Sequence, residues 1–232
     1  VQNVVVDYIY KFNKTWKIGI GAEMPMASAT TDEYTYMVNQ RIPDIPAYVQ
    51  ASWNDEGSWV RASAIMRNMQ YRDIVADKNH TNTAWGVKLS GSALIVPRFT
   101  AYYEAAYGKG ISSYFQDIYE GGLDMVPDAS TPGKLKNVEA WGGYLGLQYN
   151  FTKDIFISGM YSHVRDYASR YTGGATSYNN QYKYAQYVVG NVFWNLTSNV
   201  QMGVEYLWGR RKNMDGDNHH NNRIQTMMRL NF

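Results

Sequence analysis

The chain has 232 residues, of which 18% are charged and 45% hydrophobic, and its formal net charge is +2. Because it has no cysteine, a disulfide scaffold, a thiolate metal site and a cysteine nucleophile are excluded. The small net charge argues against nucleic-acid binding, which normally needs a strongly basic face. Tyrosine occurs 21 times, more often than phenylalanine and tryptophan together. A ring with a polar tip suits interfaces, so a soluble β-sandwich and a transmembrane β-barrel both fit this composition.

Alternation of apolar and polar residues with a period of two predicts β-strands along the whole chain. In the C-terminal stretch, Ile224, Met228 and Leu230 share one face, while Arg223 and Arg229 share the other. Eleven strands are predicted, at residues 3–12, 15–24, 46–53, 58–70, 83–95, 99–108, 138–151, 154–166, 182–196, 199–211 and 222–232. Several reach the ~9–11 residues that a tilted strand needs to cross a bilayer.

The predicted connections alternate strictly between short and long. The short ones cover residues 13–14, 54–57, 97–98, 152–153 and 197–198. The long ones are polar and cover residues 25–45, 71–82, 109–137, 167–181 and 212–221. Short periplasmic turns and long extracellular loops are typical of outer-membrane barrels, whereas a sandwich has no reason to place every long loop at one end. The chain is therefore predicted to be all-β, with residues 1–232 forming one antiparallel transmembrane β-barrel domain.

The predicted strand number is odd, whereas bacterial barrels normally have an even number and periplasmic termini. With eleven strands, Val1 would lie at the extracellular end, and an open sheet edge in lipid would leave backbone groups without hydrogen bonds. Two explanations stay open. Either an odd number of N-terminal strands is missing from this chain, or one strand is hidden within 25–45 or 109–137.

The C-terminal hairpin carries a resemblance to a known family. The segment from Gly209 to Gly216, followed by the strand from Asn222 to Phe232, resembles the end of the DcaP-like porins. Phe232 also resembles the terminal signal that the barrel-assembly machinery reads. The resemblance implies an outer-membrane homotrimer, in which each barrel has about 16 strands and passes small anions, dicarboxylates among them. It also implies that about five N-terminal strands are absent here, together with any constriction residues on them.

The polar strand faces, which the strand phase places in the lumen, carry more basic than acidic residues. The basic candidates to line a pore are Lys11, Lys17, Arg61, Arg67, Lys88, Arg98, Lys183, Arg211, Arg223 and Arg229. The acids predicted to face the same way are Asp7, Glu23, Glu104 and Glu205, with Asp166 left unassigned. A basic excess in a narrow aqueous channel concentrates anions, and arginine pairs carboxylates bidentately. The alternative is that these charges cancel in pairs within a wide pore.

These patterns predict a bacterial outer-membrane channel with an anion preference. Arg61, Arg67, Arg223 and Arg229 would form a basic track, because no inward acid on their own strands can neutralise them. The expected partners are outer-membrane lipid, lipopolysaccharide, small anionic solutes, the barrel-assembly machinery and further copies of the chain, with no nucleic acid and no cofactor. Small residues that point outward would let copies approach closely: Ala62, Ala64, Ala101, Ala105, Gly143, Gly159 and Gly190.

Two other classes of function stay open, namely a non-conducting structural or adhesive barrel and a barrel enzyme such as a lipase or protease. An enzyme needs a nucleophile, a base and an orienting group within reach. Ser162 and His163 are neighbours on a strand and must point to opposite faces, so the chain is predicted not to be an enzyme. The stretch 215–220 lacks the spaced ligands of a calcium loop, so no metal is predicted.

The segment 109–137 is the longest predicted connection. Because loops longer than ~12–15 residues usually have a function or are disordered, it is expected to fold over the mouth and narrow the pore. The alternative is a surface loop that hangs outward.

Overall fold

The structure, a computed structural model, describes residues 4–119 and 121–231 and consists mainly of strands. The strands are β1 (Val5–Lys11), β2 (Trp16–Glu23), β3 (Thr35–Met37), β4 (Ile45–Trp53), β5 (Ser58–Asp73), β6 (Lys78–Val96), β7 (Phe99–Lys109), β8 (Met125–Pro127), β9 (Leu135–Asn137), β10 (Glu139–Asn150), β11 (Ile155–Asp166), β12 (Tyr182–Asn195), β13 (Val200–Asn213) and β14 (Asn218–Leu230). Short 3-10 helices lie at Ser112–Tyr114, Ala168–Arg170 and Thr176–Tyr178. None of the helices in the described ranges has the length and apolar character needed to cross a membrane.

Eleven of these strands follow one another through a single antiparallel sheet, in the order β1-β2-β4-β5-β6-β7-β10-β11-β12-β13-β14. A strand of this sheet overlaps each of the eleven predicted ranges. The additional strands β3, β8 and β9 have three residues each, so they are too short to be the hidden spanning strand. Within the described part of the chain, β1 pairs only with β2 and β14 only with β13, and the sheet is open. Phe232, the predicted assembly signal, lies outside the described residues.

Two of the five predicted long loops are wrong. β5 and β6 continue their pairing as far as Asp73 and Lys78, so a turn over 74–77 replaces the loop predicted at 71–82. In the same way, a turn over 214–217 replaces the loop predicted at 212–221. Polar residues occupy both faces of these strand ends, which hides the period of two. The long connections of the structure are therefore 24–44, 110–138 and 167–181.

The sheet has two chemically different faces. The covered face is the one on which residues 110–138 lie, and it includes the buried side chains of Arg67, Met69 and Tyr71. The opposite, open face exposes large apolar side chains, such as Val6 and Ile224, each 74% exposed. Since cross-strand partners share a face, the register assigns every strand residue to one face or the other. An apolar face of this extent requires a nonpolar environment.

The three long connections pack together on the covered face. Ile118, Leu123 and Val126 join Val164 and Ala185 in one buried cluster. Met125 and Leu135 join Met69, Tyr71 and Ala84 in another. The longest connection thus packs against the sheet and does not hang outward, while the narrowing of a pore by this segment stays a prediction. Burial of these apolar residues and polar contacts with Arg67 and Asp73 fix the segment 110–138 in place.

Candidate functional site

The strand register places most of the predicted pore cations together on the covered face. They are Lys11, Lys17, Arg61, Arg67, Lys88, Arg211, Arg223 and Arg229. The predicted acids share this face, including Asp166, which had been left unassigned.

Two predicted pore cations do not lie regularly on a strand face. Arg98 belongs to the turn between β6 and β7, where its φ is +73° and its Nη1 donates to the Phe151 carbonyl oxygen at 3.3 Å. Arg98 thus lies in the short turn predicted at 97–98, and its inclusion among the cations of the strand faces is wrong. Lys183 lies at a β-bulge, because the pairing with β13 shifts between Tyr182 and Tyr184.

Arg67 is not an accessible cation, contrary to the prediction that it belongs to an open basic track. Its side chain is 0% exposed. Its Nε lies 2.9 Å from Asp44 Oδ2 and its Nη1 lies 3.1 Å from Asp124 Oδ2. Both carboxylates come from the long connections and not from strands of the sheet, so two acids neutralise this guanidinium inside the protein.

The remaining Arg67 contacts tie the same connections to the sheet. Its guanidinium donates to the carbonyl oxygens of Met26 and Gly110 and, at 3.2 Å, to Ser113 Oγ. Asp124 in turn accepts bonds from the backbone N–H groups of Ser28 and Ser113, both at 2.9 Å. Arg67 therefore holds 24–44 and 110–138 against β5.

Tyr114 lies beside this network and reaches toward the open part of the covered face. Its ring centroid is 5.0 Å from the Arg67 guanidinium, and its hydroxyl lies 2.8 Å from Glu23 Oε2 and 3.1 Å from Asp44 Oδ2. Burial and the nearby carboxylates raise the pKa of Tyr114, so the hydroxyl stays protonated and donates. Burial also raises the pKa of Asp44, while the adjacent Arg67 opposes that rise.

Arg61 differs from Arg67 because its protein partners are neutral. Its Nε and Nη2 donate to Gln50 Oε1 at 2.9 and 2.6 Å, and its guanidinium lies 4.2 Å from the Tyr48 ring centroid. A Cβ at Gly19 would lie 2.3 Å from the Tyr48 ring, so only glycine leaves room for the ring beneath Arg61. Arg61 is thus oriented by an amide and an aromatic ring without losing its charge.

Two lysines extend the positive charge from Arg61 toward the sheet edge. The register pairs Arg61 with Gln50, Gln50 with Lys17, and Lys17 with Lys11 across four neighbouring strands. Strands lie about 4.8 Å apart, so this row, which we call the basic row, is about 14 Å wide. Among the described residues, none of Lys11, Lys17 and Arg61 forms an ion pair within 4.0 Å.

The other cations of the covered face have different partners. Lys88 Nζ lies 3.3 Å from Glu104 Oε2, so the positive charge of Lys88 and the negative charge of Glu104 neutralise each other. Arg211 stacks 3.8 Å from the Tyr182 ring centroid, and Arg229 Nε donates to Asn231 Oδ1 at 3.1 Å. Arg223 lies across from Leu207 on the same face.

A groove separates the segment 110–138 from β4 to β7. Its volume is about 310 Å³, and Tyr48, Arg61, Lys88, Glu104 and Tyr114 contribute to its walls. A second cavity of about 790 Å³ lies between the connections 24–44 and 110–138. Both cavities include Glu23 and Tyr114, so this hydrogen-bonded pair marks the boundary between them.

His163 contacts aromatic rings and His80 contacts charged side chains of the protein. His163 stacks between Trp141 and Tyr184 on the open face, whereas its neighbour Ser162 lies on the covered face, so they form no dyad, as predicted. His80 Nε2 lies 3.1 Å from Asp73 Oδ2 and 2.7 Å from Lys134 Nζ. This second polar contact holds the segment 110–138 against the turn between β5 and β6.

Comparison with solved structures identifies the architecture. The outer membrane channel DcaP of Acinetobacter baumannii aligns with 98% of this chain and 62% of its own length, with a TM-score of 0.81 and 19% identity. The fold is that of the outer-membrane porins. The resemblance to DcaP-like porins is thus confirmed at the level of the fold, and the chain spans about three fifths of the length of DcaP.

Two further porin-fold structures align less closely. An anion-selective porin from Comamonas acidovorans aligns with 97% of this chain and 57% of its own, with a TM-score of 0.56 and 9% identity. A loop-deletion mutant of OmpT, an outer membrane protein of Vibrio cholerae, aligns with 97% and 62%, with a TM-score of 0.52 and 12% identity. No protein-family model and no curated protein sequence matches the chain.

Proposed function

We propose that the chain forms part of a channel in the bacterial outer membrane, through which small hydrophilic anions diffuse. The observation that carries the proposal is the charged groove between the segment 110–138 and the sheet. In a porin fold, the apolar open face meets lipid, and the covered face with its long segment surrounds water. The groove would then be the narrow part of the pathway, with Arg61 at its wall.

The proposed selectivity is for anions such as carboxylates and dicarboxylates. Six of the predicted pore cations on the covered face form no ion pair among the described residues: Lys11, Lys17, Arg61, Arg211, Arg223 and Arg229. The acids on this face that form no ion pair among the described residues are fewer: Asp7, Glu23, Glu205 and Asp166. A net positive lining raises the local anion concentration. Arg67 contributes nothing to this excess, because Asp44 and Asp124 neutralise it.

The proposed assembly is a homotrimer of larger barrels, as in the DcaP-like family. An open sheet edge is prohibitive in lipid, so β1 and β14 would pair with further strands in a closed barrel of about 16 strands. All seven small residues noted in the sequence lie on the open face, where they would let protomers approach closely. Lipopolysaccharide and the barrel-assembly machinery are the proposed partners in the membrane and during biogenesis, and the proposed role is not enzymatic.

The test is ion selectivity of the intact protein in planar bilayers. The double variant Lys17→Gln with Arg61→Gln removes two charges from the basic row while preserving polar side chains. Its zero-current potential in a salt gradient should shift toward cation permeation. The matched control is Lys153→Gln, an exposed residue in the turn between β10 and β11, which should leave the potential unchanged. Absence of conductance in the wild type would favour the structural or adhesive barrel, and equal potentials for both variants would exclude a role for the basic row.

A further inference from the structure

A second group of cations lies on the open face, away from the proposed pathway. Arg165 is the penultimate residue of β11, and Arg210 and Lys212 lie near the end of β13. The register pairs Arg165 with Tyr184 and Tyr184 with Lys212, so both cations flank the same tyrosine. Arg210 lies two residues from Lys212 on the same face. We call Arg165, Arg210 and Lys212 the rim cluster, because they lie where the apolar open face ends, on the side of the long connections.

The rim cluster has positive charge and donors that the protein does not use. Within the part of the chain that the structure describes, none of the three cations forms an ion pair within 4.0 Å. Arg165 Nε is buried and has no hydrogen-bond partner there. Arg165 lies 4.9 Å from the Tyr167 ring centroid, and Arg210 donates through Nε to Asn218 Oδ1 at 2.8 Å. The Arg165 guanidinium thus has no acceptor in the described part of the protein, and an external anion could accept from its terminal N–H groups.

Among the described residues, the nearby acids form no ion pair with the cluster. Glu139 already accepts from Arg170 Nη1 at 2.8 Å and from the Tyr107 hydroxyl at 2.7 Å. Asp215 and Asp217 lie in the exposed turn beyond β13, and neither forms an ion pair among the described residues.

Apolar side chains lie directly below the rim cluster on the open face, toward the short turns. They are Tyr161, Val188, Val204 and Tyr206, each between 44% and 54% exposed. Aromatic rings surround the cations themselves, since Trp141 pairs with Arg165 and Tyr184 lies 5.7 Å from Arg210. Cations above an exposed apolar surface match a ligand that carries anionic groups at the head of hydrocarbon chains.

We propose that the rim cluster binds the phosphate groups of a phosphorylated glycolipid of the outer leaflet, the chemistry that lipopolysaccharide supplies. The phosphate oxygens accept from Arg165 and Arg210 and lie near Lys212 Nζ, and the acyl chains lie along Val188, Val204 and Tyr206. Two sheet spacings separate β11 from β13, about 10 Å, so long side chains on both strands can reach one anionic head group. The proposal rests on the proposed membrane location of the open face, but it does not depend on ion conduction.

The test compares lipid binding by three forms of the intact protein, folded in neutral detergent and observed by native mass spectrometry. The first form is the wild type. The second carries Arg165→Gln, Arg210→Gln and Lys212→Gln together. The third carries Arg211→Gln, a matched control that lies between two cluster residues in sequence but points to the covered face. The probes are lipid A and the same lipid without its phosphates.

Lipid A should bind the triple variant about a hundredfold more weakly than the wild type, since each cation near an anionic surface contributes a factor of about five. The Arg211→Gln variant should bind lipid A like the wild type, and the dephosphorylated probe should bind all three forms equally weakly. Equal binding of lipid A by the wild type and the triple variant overturns the proposal, as does equal binding of the two probes by the wild type.

Conductance separates failure of this proposal from failure of the proposed channel. The triple variant should conduct like the wild type, because its substitutions lie on the open face. A wild type that binds lipid A through its phosphates but does not conduct contradicts the channel and leaves the lipid site standing. If the triple variant fails to fold, the Lys212→Gln variant alone is compared with the wild type. The proposal is overturned if this variant binds lipid A with the affinity of the wild type and the wild type binds the two probes equally.

Discussion

Arg67 and Arg61 lie six residues apart on one strand and one face, yet their surroundings give them opposite roles. Asp44 and Asp124 enclose the Arg67 guanidinium, whereas Arg61 lies against Gln50 and Tyr48 and keeps its charge. The alternation of β5 predicts the face of both residues correctly. It could not predict the partners of Arg67, because these carboxylates come from connections that are 23 and 57 residues away in sequence.

Substitution of Arg67 by methionine should destabilise the protein strongly. It leaves two carboxylates buried without their cation, a defect that typically costs about 3–5 kcal/mol. Urea unfolding in detergent and protease cleavage within 110–138 would measure the loss. The matched change Arg61→Met should cost far less, because the partner of Arg61 is a neutral amide. If both variants were equally stable, Arg67 would not be the attachment point of the segment.

At the scale of elements, polar contacts hold the segment 110–138 near its start, at its middle and near its end, and its first contacts are those of Gly110 and Ser113 with Arg67. Arg67 binds Asp124, and Lys134 binds Asp73 at 3.2 Å. Deletion of 112–134 should raise the single-channel conductance, because it uncovers one face of the proposed pathway. Arg67 would keep Asp44 as a partner, so the sheet should still form. A variant that folds and conducts like the wild type would show that the segment does not restrict the pathway.

Attachment of the same segment should depend on pH through Asp117. Burial raises the pKa of this carboxyl, and a hydrogen bond from the Tyr187 hydroxyl opposes the rise only in part. The native form therefore binds more protons than the unfolded form, and the contribution of Asp117 to stability falls as pH rises from about 4 through the raised pKa. Asp117→Asn should flatten the pH dependence of protease resistance between pH 4 and 8. An identical profile in the variant would contradict this assignment.

The elements also show where sequence periodicity is informative. It predicts a strand in each of the eleven ranges, because apolar residues alternate wherever the open face is apolar. It misses the ends of β5, β6, β13 and β14, where pairs such as Arg72 with Asn79 and Arg211 with His219 continue the sheet with polar residues. Backbone hydrogen bonds hold these ends together, so they need no apolar face.

At the scale of the whole molecule, the open face of the sheet is apolar and the covered face carries most of the predicted pore cations. Among the described residues, six of the predicted pore cations on the covered face form no ion pair, and in a closed barrel their potentials would add. The proposed anion preference should weaken as salt rises, because the screening length falls from ~30 Å at 0.01 M to ~8 Å near 0.15 M. Zero-current potentials measured at one concentration ratio but several total concentrations would test this dependence. A preference independent of salt would indicate selection by size and not by charge.

The zero-current potential of the wild-type protein across a tenfold gradient of potassium chloride tests the central claim most directly. The excess of positive charge around Arg61, Lys17 and Lys11 predicts that chloride permeates more readily than potassium, which fixes the sign of the potential. A potential of the opposite sign would show that the acids of the covered face dominate its cations, and would contradict the proposed function.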